Sequence, residues 1–141
     1  MNRIYWDSMV FIYFLEANPI FGKQAQRLHD GLLRRGDRLF SSLFTLAEVL
    51  TGPRKQNDLN GIKAIKDFFN SDEIELLPFN AEAADRYSII RAGMRVGQAD
   101  AIHLATAAAA GVDLFVTNDQ ALHGLSIPGI RFMMDLDGKV Y

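Results

Sequence analysis

Residues 97–119 read GQADAIHLATAAAAGVDLFVTND, and this stretch decides the fold. Ala101, Leu104, Ala105 and Ala108 fall at i, i+3, i+4 and i+7, the spacing of one helix face. Gly111 offers the left-handed stop that commonly closes a helix. Leu114, Phe115 and Val116 follow as an unbroken apolar run, expected of a parallel strand covered on both faces. An aspartate stands at each end of the unit, Asp100 opening the helix and Asp119 just past the strand. Two carboxylates framing a buried helix and strand need a partner.

The chain before this unit alternates in the same way. Ile4 to Trp6 is a short apolar strand ending at Asp7, and Ser8 is placed to cap a helix from Met9 to Glu16. That helix is apolar on every side and is expected to be buried. Asn18-Pro19 breaks it. A second helix, about Gly22 to Arg35, carries Ala25, Leu28, Leu32 and Leu33 on one face and ends at Gly36. Arg38 to Ser41 reads as a strand. Leu43, Leu46, Ala47 and Leu50 mark a helix with Glu48 off the apolar stripe, closed by Gly52-Pro53. Ile62, Ile65, Phe68 and Phe69 mark another helix starting near Asp58, and Ile74 to Phe79 a third strand. Asn80 caps a helix with Glu82 in its first turn and Tyr87, Ile90 and Met94 on its core face. After the opening unit, Ile130 to Met134 forms a last strand. Strands alternating with helices predict a three-layer α/β/α sandwich around a mostly parallel sheet of about five strands, with residues 1–141 as one domain.

Composition bounds what such a domain does. The chain has 141 residues, ordinary apolar and charged fractions, and no cysteine, so disulfides and thiolate metal sites are excluded. The run Met9 to Leu15 imitates a signal peptide, but Asp7 and Glu16 flank it and no small-residue cleavage site follows. The charge-free stretch Ala101 to Val112 is too short to span a bilayer. A cytoplasmic protein with no membrane partner is expected. Net charge is −2. If four of the 17 acidic residues sit in a metal site, 13 remain against 15 basic ones, a balance that permits a nucleic-acid partner without requiring it.

In open parallel sheets, ligands sit beyond the carboxyl ends of the strands. Asp7 and Asp119 lie at such ends, Asp100 begins a helix, and Glu48 is on the helix after the second strand. Four crowded carboxylates repel one another unless a cation joins them. Oxygen-only donors without thiolates suit Mg²⁺ or Mn²⁺ rather than Zn²⁺. Such an ion activates water and stabilises charge on a phosphoryl oxygen.

The run IYWDS, the segment TLAEVL, the helix DAIHLATAAAAG and the strand LFVTND together resemble the four acidic motifs of the PIN-domain ribonucleases. The similarity is greatest to the VapC-type toxins of toxin–antitoxin pairs, and it spans essentially the whole chain in the right order. The resemblance implies that Asp7, Glu48, Asp100 and Asp119 are the catalytic, metal-binding carboxylates. It makes Ser8, Thr117 and Asn118 the neighbours that orient them. It implies hydrolysis of an RNA phosphodiester, Mg²⁺ or Mn²⁺ as cofactor, a cognate antitoxin as partner, and a homodimer. Gln98 stands where such toxins often carry a basic or proline residue, a departure that touches substrate contacts.

Each residue also has an ordinary reading. Asp7 and Ser8 suit an end-of-strand turn, Glu48 a solvated helix face, Asp100 a first-turn acid and Asp119 a short cap. His103 reads as a satisfied, partly buried histidine rather than a ligand. Arg54 and Lys55, following the helix of Glu48, are candidate RNA phosphate contacts. Two other classes compete: a PIN-fold interaction module without ribonuclease activity, and another phosphoryl-transfer α/β domain. A dehalogenase-type pattern needs a second aspartate two residues after Asp7, where Met9 stands, and no Walker loop is present.

Overall fold

The computed structural model describes residues 1–141. Five strands, β1 (Arg3–Trp6), β2 (Arg38–Ser42), β3 (Ile74–Leu77), β4 (Val112–Val116) and β5 (Ile130–Met134), pair in the order β3-β2-β1-β4-β5. Every pairing is parallel. Seven helices connect or flank them: α1 (Ser8–Leu15), α2 (Gly22–Arg35), α3 (Leu43–Lys55), α4 (Leu59–Phe69), α5 (Ala81–Gly93), α6 (Gln98–Ala110) and α7 (Gln120–His123). Alternation of side chains along each strand feeds two cores. Ile4, Trp6, Leu39 and Val116 pack with Val10, Phe11, Ala25, Leu32, Val49, Ile65 and Phe69 from α1 to α4. Tyr5, Phe40 and Phe115 pack on the other face with Ile90 of α5 and Ala101, Leu104, Ala105 and Ala108 of α6. The three-layer sandwich read from the sequence is the fold observed.

The alanines of α6 explain how closely that helix lies on the sheet. Gly111 sits at φ 71° and its N–H closes the last turn onto Ala107 and Ala108, the left-handed stop its position suggested. The turn into β5 approaches just as tightly. A Cβ on Gly129, at φ 100°, would lie 2.4 Å from the Ala108 carbonyl oxygen, so only glycine fits there. Asp113 interrupts the apolar run of β4 because its carboxylate accepts from the Arg3 N–H at 2.8 Å, pinning the start of β1.

Several local expectations are corrected. Asp7, not Ser8, caps α1: its side chain accepts from Val10 N–H. Met9 is 43% exposed, so α1 is not buried all round. Leu33 and Leu43 face solvent. The fully buried residues of α3 are Thr45, Val49 and Pro53, with Leu46 and Leu50 packing half-buried against the same core and the Thr45 hydroxyl joining a buried polar group with Ser42 and Tyr5. Gly52-Pro53 does not close α3. A proline three residues from a helix end removes only one internal N–H, and the helix runs on to Lys55. Asn57, at φ 53°, ends it, with Asp58 N–H bonding Pro53 O and Asn57 N–H bonding Arg54 O, a paired left-handed termination. β3 stops at Leu77, since Pro78 cannot donate to a ladder. The short α7 has no counterpart in the sequence reading beyond a segment capped by Asp119.

Candidate functional site

The strand order reverses at β1. From it the chain runs outward through β2 and β3, then returns to lay β4 and β5 on the opposite side. A crevice therefore opens beyond the carboxyl ends of β1 and β4, where connections leave in opposite directions. Asp7 follows β1 directly and Thr117 to Asp119 follow β4. Glu48 lies in the second turn of α3, which starts where β2 ends. Asp100 lies in the first turn of α6.

These four acids line one open cleft of about 260 Å³, together with Ser8, Met9, Tyr13, Ala99, His103 and Asn118. Thr117 stands behind the wall, fully buried. Its hydroxyl donates to Asp7 Oδ2 at 2.5 Å and accepts from the Asp119 N–H at 3.1 Å. One hydroxyl thus ties together the acids of two strands. Asp7 Oδ1 accepts from Val10 N–H at 3.2 Å. Asp119 Oδ1 accepts from Ala121 N–H at 3.0 Å, capping α7. Asn118 Nδ2 lies 3.5 Å from the Tyr13 hydroxyl. The Thr117 carbonyl accepts from His123 Nε2 at 2.8 Å, and Tyr141 stacks on that imidazole. Arg54 and Lys55 are exposed in the last turn of α3. At about 1.5 Å per residue they lie roughly 9 Å further along the helix than Glu48, and neither lines the cleft.

Charge in the cleft is under tension. Burial pushes the Asp7 carboxyl above its ordinary range, against the Thr117 hydroxyl, His103 and the Val10 amide, with Asp100 adding to the rise. Burial raises Asp100 too, and the charges of Asp119 and Glu48 add to it while His103 opposes. Glu48 behaves oppositely. Burial would raise it, but the His103 hydrogen bond, the imidazole's charge and the Ser8 hydroxyl hold it below the usual range. Two carboxyls pressed toward protonation beside other acids form a site with negative charge to spare.

No three of the acidic or imidazole groups converge into a closed coordination cluster. The donor set nevertheless fits a hard divalent cation: it is all oxygen, partly open to water, and two of its carboxyls, Asp7 and Asp100, are pushed up by burial and by neighbouring acids. Mg²⁺ keeps several of its waters and is held by one or two carboxylates, so it needs no closed cage.

His103 carries more of the site than its sequence position suggested. It is only 2% exposed, and its Nε2 donates to Glu48 Oε1 at 2.5 Å. Tyr5, Ser42 and Thr45, none of them singled out from the sequence, complete a buried polar group behind it. The available signal is spacing: Ser42 and Thr45 fall six and three residues before Glu48, at the N-cap and in the first turn of its helix.

Comparison with known proteins places the fold. The PIN domain family model matches residues 4–127. The chain belongs to the PIN-domain family. Among solved structures, this PIN domain is similar to VapBC2 from Rickettsia felis bound to a promoter DNA fragment, with 20% identity and a TM-score of 0.74. That match covers 94% of this chain and 98% of the other. It is similar to DNA-bound VapBC from Salmonella typhimurium, with 24% identity, 96% and 99% coverage and a TM-score of 0.72. It is similar to VapC20 from Mycobacterium tuberculosis, a sarcin–ricin-loop-cleaving toxin, with 14% identity, 87% and 96% coverage and a TM-score of 0.68. No curated protein sequence matches this PIN domain. None of its helices is long and apolar enough to cross a membrane.

Proposed function

We propose that this PIN domain is a metal-dependent endoribonuclease, the toxin of a toxin–antitoxin pair, hydrolysing RNA phosphodiester bonds with water as nucleophile. The observation that carries the reading is the gathering of Asp7, Glu48, Asp100 and Asp119, from four separate elements, into one cleft at the switch point of the sheet. In this reading the four acids hold Mg²⁺ or Mn²⁺. The bound ion supplies a water of lowered pKa and neutralises charge building on the phosphoryl oxygens.

The chain's own part is orientation and charge. Asp7 presents a carboxylate fixed at both oxygens, by the Val10 amide and the Thr117 hydroxyl. Thr117 holds the Asp119 backbone at the same time, so the two acids keep a set separation. Asp100 has no hydrogen-bond partner for its carboxylate and stands open on the α6 first turn, facing the cleft. Glu48 stays ionised against His103. Ser8 lines the wall and supports Glu48, and Asn118 lines it beside Asp119, its amide toward the Tyr13 hydroxyl. The exposed Arg54 and Lys55 serve as phosphate contacts away from the reacting bond.

The partners follow from the same reading. The VapBC structures that share this fold are complexes of toxin with antitoxin, which supports a small cognate protein that holds this chain inactive. Self-association as a homodimer in the cytoplasm completes the proposal. Cleavage of RNA by the purified protein, with Mg²⁺ or Mn²⁺ and with EDTA, tests the core of it. Metal-dependent cutting by the wild type and its loss in Asp100→Asn are expected. Equal cutting by both proteins at saturating Mg²⁺ contradicts the reading.

A further inference from the structure

Behind Glu48 lies a polar chain sealed from solvent. His103 Nε2 donates to Glu48 Oε1 at 2.5 Å, and the Tyr5 hydroxyl lies 2.8 Å from Nδ1 on the other side of the ring. Tyr5 is itself fully buried. With Nε2 carrying the imidazole proton, Nδ1 accepts the single Tyr5 hydroxyl proton; the Tyr5 oxygen also lies 3.0 Å from Ser42 Oγ, and Ser42 Oγ lies 2.9 Å from Thr45 Oγ1. Aromatic rings flank the imidazole: Phe44 packs against it at 5.3 Å between centroids, and Tyr5 meets it edge-on at 6.0 Å.

An enclosed group of this kind is costly to bury unless every member is bonded. A leucine or phenylalanine at these positions would fill the core without that constraint. What the chain gains is geometric. One end of the group is anchored in β1 and the N-terminus of α3, and the other reaches a single oxygen of a cleft carboxylate.

We propose that Tyr5 and His103 form a positioning pair for the metal site, Tyr5 fixing the imidazole so that Nε2–H holds Glu48 Oε1 and leaves Oε2 turned toward the cleft. This inference rests on the metal-dependent reading above. Neither residue touches substrate or ion, and both act through Glu48. Groups that orient a ligand in this way typically contribute about 10–100-fold in metal affinity or activity. The tyrosine hydroxyl is therefore as much part of the site as the glutamate it never contacts.

The test is Mn²⁺ binding by isothermal titration calorimetry on the purified chain, alongside the Mn²⁺ dependence of RNA cleavage. Tyr5→Phe removes one hydroxyl and keeps the ring. His103→Gln keeps a donor of similar reach toward Glu48. Tyr5→Phe is expected to weaken Mn²⁺ binding by about tenfold or more, with cleavage recovering as Mn²⁺ is raised to saturation. His103→Gln is expected to fall between Tyr5→Phe and wild type. Affinities within twofold of wild type in both variants would overturn the inference, as would a lower melting temperature with unchanged affinity, the signature of a purely structural role. A wild type that takes up no Mn²⁺ would overturn the metal reading itself, so the two failures are told apart.

Discussion

The two halves of the cleft are built differently. On the β1 and α3 side, Asp7 and Glu48 are each tied into the protein, Asp7 by Thr117 and Val10, Glu48 by His103. On the β4 and α6 side, Asp100 carries no side-chain hydrogen bond and Asp119 is exposed, bonded only to the α7 amide it caps. The first half is positioned in advance by the fold. The second makes fewer hydrogen bonds, and at Asp100 only the His103 imidazole opposes the repulsion of the neighbouring acids. In the proposed metal-dependent reading, the first wall would set where the ion sits and the second would adjust to it.

The sharpest way to break the contrast is to remove charge from the open half. Asp100→Asn should lower RNA cleavage by roughly 10²–10³-fold or more, the scale of losing one preorganised electrostatic group, while far-UV circular dichroism stays that of the wild type. Asp7→Asn should lose activity to the same extent, with a disturbed melt as well, because its carboxylate also serves Thr117 and α1. Matching melts for the two variants would erase the distinction between the halves.

A smaller effect is expected behind the fixed wall. Thr117→Val keeps the side-chain volume but removes the hydroxyl that joins Asp7 to Asp119. A hydrogen bond to a charged group contributes about 1.5–3 kcal/mol, so chemical denaturation should register a loss of that order. Metal affinity should fall about 10–100-fold. Unchanged affinity with lowered stability would make Thr117 a packing residue only.

Protonation sharpens the contrast further. Asp100 has a raised pKa in the fold, so its ionisation works against the native state. That penalty is absent below the unfolded pKa near 4 and grows as pH rises through the folded value. In EDTA, Asp100→Asn should therefore melt above the wild type at pH 7 to 8, with the gap closing toward pH 4. Adding Mg²⁺ should reverse the order, since the ion binds only where the charge is. Thermal melts across pH, with and without Mg²⁺, would show a constant gap if repulsion were not the cause. The smallest change belongs to Asp119→Asn, which keeps a competent cap for α7. Its stability should stay within about 0.5 kcal/mol of wild type, although cleavage falls.

Much of this was legible in the residues. Period-2 and period-3.6 patterns in residues 97–119 gave α6, its Gly111 stop and β4, and the alternation elsewhere gave the parallel sandwich. The carboxyl-end rule by itself brings Asp7 and Asp119 to one rim. What escaped was what three dimensions decide. The most buried line of α3 holds a polar residue, Thr45, bonded to Ser42 and Tyr5, and no leucine count reveals that. Gly52-Pro53 looked like a stop because local propensity favours one, yet the buried Pro53 ring continues the packed stripe of α3. His103 looked like an ordinary core histidine because its partners, Tyr5 and Glu48, lie 98 and 55 residues away. Such partnerships leave no spacing signal.

The account stands on one ion occupying the cleft between the fixed and the open acids. Anomalous diffraction from crystals of the wild-type protein soaked in Mn²⁺ measures this directly. A single strong peak among Asp7, Glu48, Asp100 and Asp119, absent from Asp100→Asn crystals soaked alike, is the predicted result. Density for manganese only at surface carboxylates elsewhere, with the cleft filled by water alone, would contradict it.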